Sequence, residues 1–365
     1  MPIVVLDVAG TPAELGAAHG AFAPDTLRAF ADERVALAGT PEWSGAAFDR
    51  SQVIALAEAC LEVHRAYSPA LTDELEALAE AGGIGVAEAL VVGGFTDFVD
   101  TVYGAVGAAS GSPTPAPPEA DQCTACLVPA ARSADGAAML AQTWDMHAGS
   151  ERHVIVLRGA PTDAPAFATF TTVGCLGMIG MNEHGLAIGI NNLTGADGRI
   201  GVTWPFVVRE VLRQRDLDAA LRCIVDAPLA GAHNYQVLDA AGRGANVEAT
   251  ATYAHVTKLE RDPVVHTNHC LVGETVRRQR ERDAAAQASS LARLARADAL
   301  LARHDLTPDD LQRITADTEA ICYRGGPPRY LATCGAVVMR PATRDLWVVP
   351  GLPSEGTFER IELRA

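Results

Sequence analysis

The stretch DQCTACLVPA, residues 121–130, marks an abrupt change in the texture of the chain. Just upstream, GAASGSPTPAPPEA (107–120) is built almost wholly of Ala, Gly, Ser and Pro, which bury too little apolar surface to pay for ordering. Just downstream, TACLVPA begins a series of short apolar or alternating runs. A cysteine at such a junction can be half of a Cys-x-x-Cys ligand pair, a small core residue, or a nucleophile exposed by chain cleavage.

Working outward, AAMLAQTWD (137–145), HVIVLRG (153–159), AFATFTTVG (166–174), LGMIGMN (176–182) and LAIGINNL (186–193) read as strands. Turn signals at Ala134-Asp135-Gly136 and Asn182-Glu183-His184-Gly185 separate them. WPFVVREVLRQ (204–214) and LDAALRCIVDAP (217–228) read as helices. NYQVLDAAGRGANVEATATYAHVTKL (234–259) returns to strands, with a hairpin at Ala240-Ala241-Gly242. A charged helix over 275–303 precedes a last strand pair, ATCGAVVMRPATRDLWVVPG (332–351).

Upstream of the junction the pattern is helical. TPAELGAAHGAFAPDTLRAFADERVALAG (11–39) opens on Thr-Pro with Glu14 three residues after Thr11, the spacing of a capping box. A second helical run, SPALTDELEALAEAGGIGVAEALVVGGFTDFVDTVYG (68–104), is punctuated by Gly82-Gly83. The expected fold class is α+β, two sheets covered by helices in one structural domain. Residues 104–122 form a flexible linker in this reading, where a backbone can be cut without unfolding what flanks it.

The chain has 365 residues, 48% of them hydrophobic, with a formal charge of −16, enough apolar material for a large core. That charge opposes binding to a phosphate backbone or an anionic lipid surface, so neither nucleic acid nor membrane is an expected partner. The start MPIVVLDVAG lacks a basic region and a long apolar run, and the most apolar segment, 171–193, is interrupted by Asn182-Glu183-His184-Gly185. The expectation is a cytoplasmic protein without a spanning helix. Eight cysteines scattered over so long a chain favour reduced thiols over a disulfide framework.

Cys123 and Cys126 meet two further candidate ligands in HTNHC (266–270), namely His266 and His269, and a zinc site is conceivable on ligand type alone. Compact zinc modules keep their ligand pairs within a few tens of residues, which weighs against it. A redox dithiol opens a helix, where the dipole lowers the thiol pKa, whereas CTACLVPA continues as a strand. As the first residue of a new chain, Cys123 would carry both a thiol and an α-amino group of similar pKa, so one residue could supply nucleophile and base. Such a residue needs a carboxylate for its amine and donors for the oxyanion. Asp145, at the end of AQTWD, is returned by the hairpin toward the start of the first strand. Asn268 in VVHTNHCL offers an amide donor, and Asn191-Asn192 in GINNLTG a second amide pair.

These segments in this order resemble the acyl-coenzyme A:6-aminopenicillanic acid acyltransferase family of N-terminal nucleophile hydrolases. The likeness runs from GTPAELGAAHG and DELEALAEAGGIGVAEALVVGGFTDF through QCTA, DGAAMLAQTWD and GCLGMIGMNEHGLAIGINNL to NVEAT, VVHTNHCL and RYLATCGAVVM. It implies a four-layer αββα sandwich, made as a precursor that cuts itself between Gln122 and Cys123 into an α-subunit (1–122) and a β-subunit (123–365). It also implies Cys123 as nucleophile, Asp145 as carboxylate, Asn268 as oxyanion donor and Arg329 as a basic group, with Arg324 as its rival. Trp144, Met146, His147, Asn192 and His269 are the expected pocket residues. Gln122 stands where the family often has Gly.

The function implied is a self-processing cysteine amidohydrolase or acyltransferase acting on a small-molecule amide or acyl thioester, with no cofactor and no metal. Hydrolysis against transfer, the acyl and amine identities and self-association stay open. The rival readings are a zinc-binding or thiol-based interaction protein using Cys123, Cys126, His266 and His269, and a catalytically inactive homologue.

Overall fold

The computed structural model describes residues 2–110, 122–326 and 331–363. It opens with β1 (Val5–Gly10), then α1 (Pro12–Phe22), α2 (Pro24–Ala38), α3 (Pro41–Ser44), α4 (Arg50–Tyr67), α5 (Pro69–Gly82), α6 (Val86–Gly93) and α7 (Phe95–Ser110). Next come β2 (Thr124–Val128), β3 (Met139–His147), β4 (Val154–Pro161), β5 (Phe167–Thr172), β6 (Ile179–Asn182) and β7 (Ala187–Asn192). Two helices, α8 (Trp204–Leu212) and α9 (Leu217–Val225), lead to β8 (His233–Leu238), β9 (Gly244–Ala249), β10 (Ala254–Lys258) and β11 (Val264–His266). The chain ends with α10 (Gly273–Val276), α11 (Ala284–Leu301), α12 (Pro308–Thr315), β12 (Leu331–Arg340), β13 (Asp345–Pro350) and β14 (Glu359–Ile361).

Local chemistry sets several of these boundaries. Thr11 and Glu14 form the capping box reciprocally, and the helical run that follows breaks at Ala23-Pro24 because proline starts a new helix. Gly83 ends α5 at φ +70, a conformation that costs a residue with Cβ more than it costs glycine. In α1, a Cβ on Gly16 would lie 1.9 Å from Glu74 O and one on Gly20 2.1 Å from Leu78 O. These two glycines therefore let α1 and α5 touch backbone to backbone.

Among the described residues the strands form two sheets, ordered β1-β4-β5-β6-β7-β8-β9-β10 and β11-β2-β3-β12-β13-β14. Every pairing is antiparallel except β1 with β4. The sheets face each other where β2 and β3 cross β7 and β8, while α8 and α9 cover the larger sheet and α11 and α12 the smaller. This is the αββα order. Most buried apolar side chains lie in one core between the sheets and under α1–α9, and a second core holds α11 and α12 against the smaller sheet.

One polar contact ties the sheets together inside this apolar layer. Fully buried Gln142 of β3 accepts from Ile190 N at 2.7 Å and donates to Ile190 O of β7. The β6 ladder stops at Ile188, so that edge of β7 has backbone groups to satisfy, and the Gln142 amide does so in place of a strand.

Two sequence expectations change. The linker starts later than residue 104, because α7 runs to Ser110. Gly104 is small to admit the backbone of Gly198, whose carbonyl oxygen would lie 2.1 Å from a Cβ there. Low side-chain volume here reflects close packing; the remainder of the linker, 111–121, lies outside the described residues. The charged helix over 275–303 is interrupted: α10 ends at Val276, and α11 starts afresh after Asp283, whose carboxylate caps the amides of Ala285 and Ala286.

Candidate active site

Cys123 precedes β2, facing the layer between the sheets, and is buried. The β2–β3 hairpin pairs Thr124 with Thr143, which brings Asp145 beside Cys123 as the hairpin geometry predicts. The thiol donates to Asp145 O at 3.7 Å and accepts from Asp145 N at 3.4 Å. Opposite Asp145 the register of β12 slips between Thr333 and Gly335. Such a bulge re-aims the side chains around it.

The Asp145 carboxylate is fully buried, and neither of its oxygens accepts a hydrogen bond of ordinary geometry among the described residues. Burial raises its pKa to about 7, against the opposing pull of the Arg293 charge and the nearby Thr333 and Thr143 hydroxyls. A buried carboxylate so poorly satisfied is costly in isolation.

Asn268 sits just past β11 on a loop held by Glu248. That carboxylate accepts from His266 Nε2 at 3.0 Å, Leu271 N at 2.9 Å, Val272 N at 3.1 Å and the Thr275 hydroxyl. Burial works to raise the Glu248 pKa, but the His266 contact and the other donors prevail and hold it at about 2. On the loop so fixed, Asn268 Nδ2 donates to Asn192 O at 3.0 Å and Asn268 Oδ1 accepts from Arg293 Nη2 at 2.9 Å.

Arg293 is the residue that sequence reasoning passed over. It is buried, and its Nη1 donates to Cys123 O at 2.5 Å and to Thr124 Oγ1 at 3.2 Å, so one guanidinium spans the Cys123 backbone and the Asn268 amide. A signal was present: in α11 the buried positions are Ala286, Ser290, Arg293, Ala297 and Leu301, which places an arginine on the apolar stripe. Of the basic residues expected instead, Arg324 is exposed and ion-paired to Glu355. Arg329 lies outside the described residues.

Trp144, Met146 and Asn192 line one small cavity with Cys123. Its volume is about 20 Å³, room for a single water. Met178, Ile190 and Trp204 complete its apolar wall, and Thr96 and His233 add polar groups that the sequence did not single out. His147 and His269 are absent from this wall. His147 follows Met146 on β3 and so points to the opposite face, where its Nε2 meets Ser150 Oγ at 2.9 Å. His269 turns toward α11, with Nδ1 2.7 Å from Ser290 Oγ. Burial lowers the pKa of the first to about 3 and of the second to about 4.

The same alternation separates the cysteine pair. Cys126 packs in the core under α11 and α12 while Cys123 faces the layer between the sheets, so the two thiols cannot share an ion. His266 is engaged with Glu248, and no group of three or more His, Cys, Asp or Glu suited to a metal occurs among the described residues.

Over residues 132–355 the sequence matches the family model described as acyl-coenzyme A:6-aminopenicillanic acid acyl-transferase, a span that holds Asp145, Asn268 and Arg293 and starts downstream of Cys123. The chain belongs to this family. Among solved structures, this acyltransferase-family chain is similar to a cysteine-to-alanine mutant of conjugated bile acid hydrolase from Clostridium perfringens, with 11% identity and a TM-score of 0.47, covering 66% of this chain and 92% of that one. An arginine-to-leucine variant of the same hydrolase gives 12%, 0.45, 66% and 92%. Penicillin V acylase from Agrobacterium tumefaciens gives 14%, 0.39, 66% and 86%. No curated protein matches significantly. Among the described residues no single helix is long and apolar enough to cross a membrane.

Proposed function

We propose that this acyltransferase-family chain is a self-processing cysteine amidohydrolase or acyltransferase. The Cys123 thiol attacks the carbonyl of Gln122, an N-to-S shift yields a thioester, and water releases residues 1–122 as an α-subunit from a β-subunit beginning at Cys123. In the processed enzyme the thiol of Cys123 attacks a small-molecule amide or acyl thioester. Its own α-amino group takes the thiol proton and returns it to the leaving group, Asn268 Nδ2 donates to the oxyanion, and water or an amine resolves the acyl-enzyme. The two subunits remain together as one structural domain. We place the enzyme in the cytoplasm, a setting that suits cysteines held as reduced thiols.

The observation that carries this reading is Asp145. A buried carboxylate whose oxygens accept no hydrogen bond of ordinary geometry among the described residues, on the residue whose backbone holds the Cys123 sulfur, is suited to receive a cation. Cleavage ahead of Cys123 creates an ammonium group there. The test is intact mass and N-terminal sequencing of active protein: two chains, one starting at Cys123, are expected, with Cys123→Ala a single inactive chain. An active protein still joined at Gln122-Cys123, or an active Cys123→Ala, would overturn the proposal.

A further inference from the structure

The cavity beside Cys123 carries more chemical information than its volume, and this inference rests on the acyl-transfer reading above. In an acyl-enzyme the acyl group stays tethered to sulfur while the amine departs, so the enclosed space next to Sγ receives the acyl chain. Among the described residues its wall contains no charged side chain: Trp144, Met146, Met178, Ile190 and Trp204 are apolar, and Thr96, Asn192 and His233 are polar. A carboxylate or ammonium entering it would lose its hydration without a counter-ion.

The polar groups gather at one end, from the starts of α7, α8 and β8 and the end of β7. Trp204 Nε1 can only donate, and Thr96 Oγ1 accepts it at 3.1 Å. His233 Nε2 is 3.1 Å from the same oxygen, and its Nδ1 faces Asp97 Oδ1 at 3.4 Å, while Asp97 Oδ2 accepts from Trp204 N at 2.7 Å. Burial pushes the Asp97 carboxyl up from the usual carboxylate range and takes His233 down to about 3, so the imidazole is neutral at neutral pH. His233 Nδ1 forms no hydrogen bond among the described residues, and a buried N–H left unpaired costs more than a bare ring nitrogen, so the ring carries its one hydrogen on Nε2, where Thr96 Oγ1 accepts it. Thr96 Oγ1 then accepts twice, and its own hydrogen is left for the cavity.

Asn192 supplies the complementary group. It pairs directly across from His233, is nine-tenths buried, and its Oδ1 has no hydrogen-bond partner among the described residues. A donor from Thr96 and an acceptor from Asn192, in a space of one water, together match a hydroxyl, which both accepts and donates.

We infer that the cavity is a specificity pocket for an uncharged acyl group bearing a hydroxyl, read by Thr96 and Asn192, with Asp97, His233 and Trp204 orienting the Thr96 hydroxyl. Met146 and Met178 flank the space, and their flexible thioethers can give way to admit the chain. A site that hydrogen-bonds a substrate hydroxyl discriminates against the analogue lacking it, because its own polar groups are then left buried and unpaired.

The experiment compares 2-hydroxybutanoyl, 3-hydroxybutanoyl, butanoyl and succinyl amides of one fluorogenic coumarin amine on processed enzyme. At least one hydroxylated amide should exceed butanoyl by about tenfold or more in kcat/KM, with succinyl the poorest. Thr96→Val should bring the hydroxyl-to-deoxy ratio to about one, and Thr96→Ser, which keeps the hydroxyl, should restore it. Independently of turnover, Cys123→Ala should bind the corresponding primary amides in the same order, read by the fluorescence of Trp144 and Trp204. Equal kcat/KM for hydroxylated and deoxy substrates, a preference for succinyl, or a ratio indifferent to Thr96→Val would overturn the assignment. Binding in the expected order without turnover of any amide would instead remove the acyl-transfer reading. The wild-type order is decided without any variant, so it holds even where Thr96→Val fails to fold.

Discussion

Arg293 Nη2 donates to Asn268 Oδ1 at 2.9 Å, and this one contact determines which way round the Asn268 amide is held. With the oxygen engaged by a guanidinium, the nitrogen end is directed to Asn192 O. In the proposed mechanism Arg293 is a positioning residue: it acts on the proposed oxyanion donor, Asn268, and on the Cys123 carbonyl, and its geometry depends on a planar fork.

Replacing that fork should therefore reduce chemistry more than binding. Arg293→Met is expected to lower kcat by about 10²-fold or more with a smaller change in KM, the signature of a lost oxyanion donor, and Arg293→Lys to recover only part of it. A purely structural role would lower Tm and the active fraction while leaving the kcat of the folded enzyme intact. Active-site titration of Cys123 separates the two outcomes. Arg293 also opposes the burial of Asp145, so its removal should move any limb of the pH–rate profile governed by Asp145 toward higher pH.

Asp145 makes the unprocessed chain pH-sensitive in a definite direction. Its ordinary carboxylate value is 3.8 and its buried value about 7, so between those limits the folded precursor holds a proton that the unfolded chain has released. Stability is then at its full level below about 4 and falls as pH rises toward 7. The loss is on the order of 4 kcal/mol, from about 1.4 kcal/mol per pKa unit. Urea titrations of Cys123→Ala at pH 4 and 7.5 should show the decline, and Asp145→Asn in the same background should flatten it. A precursor whose stability is flat or rises across this window would contradict the buried, unpaired carboxylate.

How much of this was legible in the residues differs by element. The capping spacing of Thr11 and Glu14, the glycine turns and the hairpin returning Asp145 toward Cys123 are local relations, and local chemistry carried them into the structure. Strand β1 was not legible as a strand, because its pairing with β4 joins segments about 150 residues apart and leaves no nearby turn signal. Arg293 reads in sequence only as part of a charged helix, although its place on the apolar stripe of α11 was visible. Thr96 and His233 carried no signal: each begins an element, and only the crossing of α7, α8 and β8 makes them neighbours.

Glu248 ties the Asn268 loop together from below, and its removal should be felt at the site. Glu248→Gln leaves His266 and the Leu271 and Val272 amides with an uncharged partner in which one of the two accepting oxygens has become a donor, at a cost of about 3 kcal/mol for a broken buried network. Hydrogen exchange at Leu271 and Val272 should accelerate relative to the sheet amides. Since the Glu248 pKa is lowered to about 2 from 4.5, the stability it contributes is present above about 4.5 and is lost as pH falls through 2. Wild-type protein should accordingly lose stability in that acid window more steeply than Glu248→Gln.

Cys126 provides the contrast that separates the proposed nucleophile, Cys123, from its neighbour three residues on. It is paired in register with Val265 and Ala141 inside the core beneath α11 and α12, and burial pushes its thiol up to about 12, so it is an unreactive small hydrophobe at neutral pH. Cys126→Ala should leave processing at Gln122-Cys123 intact, lower stability by roughly 1 kcal/mol for the lost sulfur packing, and leave the metal content of the purified protein unchanged. Brief alkylation of native processed enzyme should label Cys123 and spare Cys126, as read by peptide mass mapping. Stoichiometric zinc that disappears in Cys126→Ala would require the two thiols to converge on one ion, which the alternation of strand β2 forbids, and the placement of both cysteines would then have to be abandoned.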